Sequence, residues 1–331
     1  MNVKQGFFSV VACGMAFASL GSGFGLYEAS SPTYALGGAV VGRAYDASAN
    51  FFNPATLTDL TNLTVTAGFM TEHPRGRIKT DLPGGRTSSM DPGVFWLPHF
   101  HLAIPLPWDF AFGLGVMPEY GLGSEYSDSW DLNFNSINTT VMSFTVNPNL
   151  AYKVTDKWSV GAGMRFLYFD FEQYSLPVVT PYGHRFKNRL KGDNDMKDYG
   201  YQVGTKYDLF ENFAVGLVYK SMTRVHVKGT SRNHLYSAAD PTTAAALTAA
   251  AAQKTGAAKA TLDLPQSITG GFNWDITPTW HLGGTIAWTE CAVWRRTQHA
   301  HAGRRADRLC AGRRAAHERQ LVCGAERLDA R

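Results

Sequence analysis

The chain has 331 residues, 44% of them hydrophobic and 13% aromatic, with 33 glycines and a formal net charge of +4. No run of about 18 apolar residues follows the N-terminus, which excludes a helical membrane protein. The excess positive charge lies in residues 290–331, with ten Arg against five acids. The 21 basic and 22 acidic side chains before it leave no basic stripe for nucleic acid.

Lys4 precedes an apolar run from Gly6 to Leu20, with small residues at Ser19, Gly21 and Gly23. This pattern is a secretory signal peptide over residues 1–21. Its removal takes away Cys13, and no other cysteine precedes Cys291. An exported body without cysteines has no disulfide framework and must be held together another way, such as sheet closure.

Residues 22–60 are small, Gly-rich and turn-rich, and end in Asn50-Phe51-Phe52-Asn53-Pro54-Ala55. They do not alternate. A compact segment of this kind ahead of a barrel is expected inside the lumen, as a hatch of short helices and turns.

Residues 61–289 alternate. The pattern predicts strands over Leu63–Thr71, Val94–Ile104, Phe110–Pro118, Thr139–Lys153, Trp158–Glu172, Lys197–Leu209, Phe213–Val227, Pro265–Ile276 and Trp280–Thr289. The clearest case is Trp158–Phe171. Val160, Ala162, Met164, Phe166 and Tyr168 form an apolar row, while Ser159, Gly161, Gly163 and Arg165 share the other face with Leu167 and Phe169. An apolar outer face opposed by a face carrying glycine and charge suits a transmembrane β-barrel strand.

Short joins at Pro105–Asp109, Val154–Lys157, Phe210–Asn212 and Thr277–Thr279 alternate with long ones near 72–93, 119–138, 173–196 and 228–264. Tight turns on one side and long loops on the other match an outer-membrane barrel. Trp108, Trp158, Trp280, Phe210 and Phe213 stand at the short turns, where an interfacial aromatic girdle belongs. A soluble β-sandwich is the competing architecture, disfavoured by the signal peptide and the strand lengths. Asp240-Pro241 offers a cap and first position for a short helix in the Ala-rich loop 237–261, either over the barrel mouth or as a solvated insertion.

Parity also predicts the lumen. With the apolar rows outward, Arg165, Leu167, Phe169, Gln202, Lys206, Gly216, Val218 and Lys220 face inward. Arg165 and Lys220 fall at similar depth and Lys206 lower. The cationic pair, beside Leu167, Phe169 and Val218, could hold a carboxylate while apolar walls take an acyl tail. Alternatively, these cations pair with hatch or lumen acids such as Asp46. Gly113, Gly115 and Pro118 on the third strand predict a local break in the wall, or else Pro118 ends that strand at the rim.

Past Glu290 the alternation stops. The next stretch is Arg/Ala-rich, without Phe or Tyr, and holds three of the four cysteines. No closely spaced cysteine pair suggests a metal. The abrupt change reads as a frameshifted, disordered tail over 290–331, leaving about nine strands and an unclosed sheet whose unpaired edges oppose assembly in lipid. No Gly-x-Ser-x-Gly elbow or Ser/His/acid set indicates an enzyme, so no catalytic residue, metal or cofactor is expected.

Several stretches resemble the family of FadL-type long-chain fatty-acid transporters. Gly23-Phe24-Gly25-Leu26-Tyr27-Glu28, Gly37-Gly38, Gly42-Arg43-Ala44-Tyr45, Ala49-Asn50 and the triplet Asn53-Pro54-Ala55 are similar to its hatch. Pro148–Lys153, Trp158–Gly163 and Leu264-Pro265 are similar to its barrel strands. The resemblance implies an all-β fold, an antiparallel fourteen-stranded barrel in the outer membrane of a Gram-negative bacterium, closed by the hatch. It also implies a monomer that contacts outer-membrane lipid and takes up long-chain fatty acids or aromatic hydrocarbons. It further implies that ligand binds in the lumen and leaves sideways at a kinked third strand. The rival reading is a non-specific or structural barrel.

Overall fold

A computed structural model of the chain describes residues 25–290, apart from 81–84, 91–92, 180–184, 238–243, 245, 249–255 and 278. The signal peptide, the tail from 291 and the Asp240-Pro241 cap fall outside the described residues. Ala244 and residues 246–248 are helical.

The N-terminal segment folds as α1 (Ser31–Ala35), α2 (Ala49–Phe52) and a 3₁₀ turn (Pro54–Asp59). The strands follow as β1 (Thr64–Glu72), a small hairpin of β2 (Arg77–Lys79) and β3 (Thr87–Ser89), β4 (Phe95–Pro105), β5 (Phe110–Met117) and β6 (Gly121–Glu125). Next come β7 (Asn138–Thr155), β8 (Trp158–Val179), β9 (Arg185–Asp193), β10 (Asp198–Phe210) and β11 (Phe213–Lys220). The last are β12 (Thr223–Ser237), β13 (Gly256–Leu264), β14 (Ser267–Thr277) and β15 (Trp280–Thr289).

Nine strands form the main wall in the order β1-β4-β5-β7-β8-β10-β11-β14-β15. Neighbours along it are antiparallel. Among the described residues β1 pairs only with β4 and β15 only with β14, so the sheet is open. No described helix is long and apolar enough to cross a membrane.

The alternation has the expected sense. Tyr199, Tyr201, Val203 and Leu217 are exposed, whereas Arg165, Gln202, Lys206 and Val218 are buried. Outward aromatics pair across strands, as Phe110 with Tyr152 at 4.7 Å between ring centroids. Such pairs add to sheet stability. Trp108 and Asp109 both take positive φ in the β4–β5 turn, the geometry a two-residue hairpin turn requires.

The long connections differ from the sequence expectation, because they contain strands. β8 runs on to Val179 and pairs with β9, β9 pairs with β12, and β12 pairs with β13. This upper tier stands on the main wall. It escapes a search for alternation because neither face of a ribbon above the acyl chains needs a continuous apolar row.

The predicted strand Phe213–Val227 is likewise two strands, broken at Ser221–Met222. The break inverts the pattern: Val218 is buried below it, and Thr223, Val225 and Val227 above it. Other breaks fall between β5 and β6, between β9 and β10, and between β13 and β14. Side chains seal several of them. The Ser143 hydroxyl bonds both the N–H and C=O of Tyr120 at 2.8 and 2.9 Å. Asn194 bonds Phe169 N and Leu167 O at 2.9 and 2.8 Å, and Ser221 Oγ accepts from Tyr201 N at 2.8 Å. Each supplies a partner to a backbone group that the interrupted ladder leaves open.

Candidate functional site

The N-terminal segment sits against the inward face of the wall, held by side-chain amides. Asn50 Nδ2 donates to Asn147 O at 2.8 Å, and Asn149 Nδ2 donates to Asn50 Oδ1 at 2.7 Å. Gln202 Nε2 bonds both Asn50 O and Asn149 Oδ1 at 2.8 Å. Asn53 Nδ2 donates to Val41 O at 2.7 Å and to Thr205 O at 3.1 Å, while its Oδ1 accepts from Ala55 N at 3.1 Å. Asn53 thus caps the turn that Pro54 begins and joins it to β10. Pro54 and Ala55 are buried against the wall.

This close seat explains glycines that the sequence leaves ambiguous. A Cβ on Gly204 would lie 2.1 Å from Asn53 Oδ1, and one on Gly113 would lie 2.2 Å from Asn50 Oδ1. The expectation that Gly113 and Gly115 help break the third strand is therefore corrected. Both stay in register with β4 and β7, and they lack side chains because Asn50 and His101 occupy that space.

The break itself lies at Pro118–Tyr120. Met117 pairs with Thr145 and Gly121 with Met142, so three residues face two. Proline cannot donate to a ladder, and an extra residue makes a bulge. β5 stops before Pro118, but the wall does not end there, since β6 resumes the pairing with β7. The pairing of β5 with β4 ends at Phe100 and Val116, and β6 pairs only with β7. The upper half of β4 and β6 are thus neighbours without a ladder between them, and the Phe95 ring lies against Gly123.

The bulge turns Glu119 into the lumen. Its carboxylate receives Arg165 Nη2 in a short contact, Arg165 Nε at 3.3 Å and Thr145 Oγ1 at 2.9 Å. Lys220 Nζ stands 3.8 Å from the same carboxylate and 3.3 Å from the Phe51 ring centroid. Arg165 also reaches Tyr120 Oη at 3.3 Å and Ser221 O at 3.4 Å. Beside the cluster lies a cavity of about 240 Å³, lined by Val41, Phe51, Phe52, Glu119, Tyr120 and Lys220 among others.

The structure brings Arg165 and Lys220 together, as their parity and depth imply, but around a shared acid. That acid is Glu119 and not Asp46, which instead accepts from Ser48 N at 2.8 Å. Leu167 and Phe169 pack away from the cavity, in a cluster with Tyr120, Val141, Val225, Val227, Leu262 and Leu264. Val218 is buried outside that cluster. Lys206 is separate, paired with Asp59 at 2.5 Å and Asp208 at 3.1 Å.

Sequence reasoning missed Glu119, whose signal was an acid directly after a strand proline. It also missed the functional reading of Asn147 and Asn149, polar residues on inward parity next to hatch asparagines. Among the described residues no group of His, Cys, Asp and Glu could hold a metal ion.

The model of a family described as outer membrane protein transport protein (OMPP1/FadL/TodX) matches residues 10–309. The long-chain fatty acid transport protein of Escherichia coli K12 is 27% identical over 308 residues, covering 81% of this chain and 66% of its own length. The chain thus spans somewhat less than two thirds of such relatives. Outer membrane protein P1 of Haemophilus influenzae is 34% identical over 89 residues, covering 26% of this chain and 19% of its own.

Among solved structures, a Pseudomonas aeruginosa FadL homologue superposes with a TM-score of 0.59 at 20% identity, covering 81% of this chain and 70% of its own. The Ralstonia pickettii toluene transporter TbuX gives 0.57 at 17% identity, covering 78% and 70%. At these identities the superpositions establish the fold.

Proposed function

The chain belongs to the OMPP1/FadL/TodX family of outer membrane transport proteins, and from that premise we propose that it takes up hydrophobic small molecules, with long-chain fatty acids as its ligands. The observation that carries the choice is Lys220. Its ammonium stands on the wall of a largely apolar cavity and shares one acid with Arg165. Two cations and one carboxylate leave a net positive charge that a ligand carboxylate neutralises. An aromatic hydrocarbon has no use for it.

In this reading residues 25–60 act as the hatch, and the interval between β4 and β6 supports a sideways exit. Leu167 and Phe169 would meet the acyl tail only if their packed cluster opens, and Val218, two positions before Lys220 on the same face of β11, would border the tail. Lys206 belongs to the hatch anchor.

Lys220→Met tests the assignment. It is expected to weaken binding of a fluorescent fatty acid to the purified chain by about tenfold or more, with alkylbenzene binding unchanged. Equal affinities before and after for both ligands would sink it in favour of an aromatic-hydrocarbon channel. Passage of small sugars in liposome swelling would favour a non-specific barrel.

A further inference from the structure

The upper tier carries a charge pattern that transport through the lumen does not use. Strand β9 places Arg185, Lys187, Arg189 and Lys191 at every second position, hence on one face. Lys191 lies opposite Glu172 on β8 and Arg189 opposite Tyr174. These β8 positions have opposite parity to the inward Leu167 and Phe169, so the cationic row faces outward. Strand β12 agrees: Val225 and Val227 are buried, which sends Lys228, Thr230, Arg232 and His234 outward. In the β9–β12 ladder Thr230 faces Lys191, Arg232 faces Arg189 and His234 faces Lys187.

Like charges directly opposite one another destabilise a sheet. Part of this face is compensated within the protein. Arg189 Nε bonds Glu172 at 2.7 Å, and Lys187 Nζ lies 3.2 Å from Asp128. Lys191 has Asp170 and Glu172 near enough to attract it without a direct contact, and Arg232 faces Arg189 across the ladder. With Arg189 and Thr230 they line a shallow cleft of about 260 Å³.

The cleft has a definite height. The outward apolar row of β8 ends in Phe166, paired with Tyr199, and Tyr168, and aromatic residues border the apolar band of an outer-membrane wall. Glu172, at the level of Lys191, is four residues above Tyr168, or about 13 Å at the usual strand rise. That rise, shortened by strand tilt, sets the cleft above the acyl chains, on the headgroup side of the apolar band.

We propose that Arg189, Lys191, Thr230 and Arg232 bind the phosphorylated headgroup of an outer-leaflet lipid on the outside of the wall. Two guanidinium forks, an ammonium and a hydroxyl make a donor set suited to a phosphomonoester. Phosphate between Arg189 and Arg232 also relieves their mutual repulsion. The proposal rests on the outer-membrane placement and is independent of the ligand assigned to the lumen.

The test uses the full chain in detergent micelles with fluorescent lipid A, phosphorylated or dephosphorylated. Lys191→Gln with Arg232→Gln should lower affinity for the phosphorylated form by about tenfold, to the level of the dephosphorylated form. Lys153→Gln with Lys157→Gln, the same charge change at the opposite end of the wall, should leave it unchanged. Equal loss in both double variants, or no loss in the first, overturns the proposal. So does displacement by inorganic phosphate with no preference for the lipid. Should the first double variant fail to fold, the unmodified chain suffices: phosphorylated lipid A should protect Lys191 from acetylation, and absence of protection overturns the proposal.

Discussion

Glu119 and Arg165, 46 positions apart, form a buried ion pair across the lumen, from the bulge after β5 to the middle of β8. Glu119 is shared with Lys220 at 3.8 Å, so one acid serves two cations. Removing one partner of such a pair leaves an uncompensated charge, which costs about 3–5 kcal/mol. Glu119→Leu, which leaves both Arg165 and Lys220 without their shared acid, should therefore destabilise the folded chain by about that amount in urea unfolding from lipid bilayers. Glu119→Leu combined with Arg165→Met should recover most of the loss. Additive losses in the double variant would show that the two groups act separately.

Asn53 and Gly204 hold the N-terminal segment to β10. Asn53→Ala leaves Val41 O and Thr205 O without their amide donor, a loss of about 1–3 kcal/mol. Gly204→Val places carbon where Asn53 Oδ1 now sits. Both variants should expose residues 25–60 to protease and raise ion conductance in planar bilayers. Unchanged protection in Gly204→Val would mean that the close seat is dispensable.

Phe95 fills the interval between β4 and β6, where its ring lies against Gly123. If ligand leaves there, Phe95→Ala should speed uptake of bulky apolar ligands in cells lacking their own transporter. Phe69→Ala, on the outer face of β1 beside Trp96, should not. Identical rates for Phe95→Ala and the unmodified chain would argue for another exit.

Asp131 accepts from Thr80 Oγ1 at 2.6 Å and Arg86 N at 2.7 Å, in the long connection between β6 and β7. These donors, the Thr80 hydroxyl first, hold its carboxyl below the usual aspartate range. A depressed folded pKa means the contribution is complete above the unfolded value and is lost as pH falls through the folded one. The clasp on the β2–β3 hairpin should persist at neutral pH and fail only in strong acid. Amide exchange at Arg86 reports it, and Asp131→Ala should remove both the protection and its pH dependence.

The wall was largely legible from sequence. Each of the nine strand windows meets lipid on one face, so Tyr199, Val203 and Leu217 alternate against Gln202, Lys206 and Val218. The upper tier was not, because the outer side of β9 and β12 carries charge where the wall carries an apolar row, and the pattern there is charge against mixed residues. Gly113 and Gly115 were read as weak points and are seats, because Asn50, which excludes a side chain at both, comes from about 60 positions earlier in the chain.

By itself the sequence determined which face of each strand turns inward, since a period of two leaves a strand no freedom once one solvent is lipid. It therefore determined that Arg165 and Lys220 share the lumen. Only the tertiary structure decided what they meet there. The bulge after Pro118 rotates Glu119 toward them, and that rotation depends on a mismatch of one residue between two strands, a quantity fixed by register rather than by either strand's own sequence.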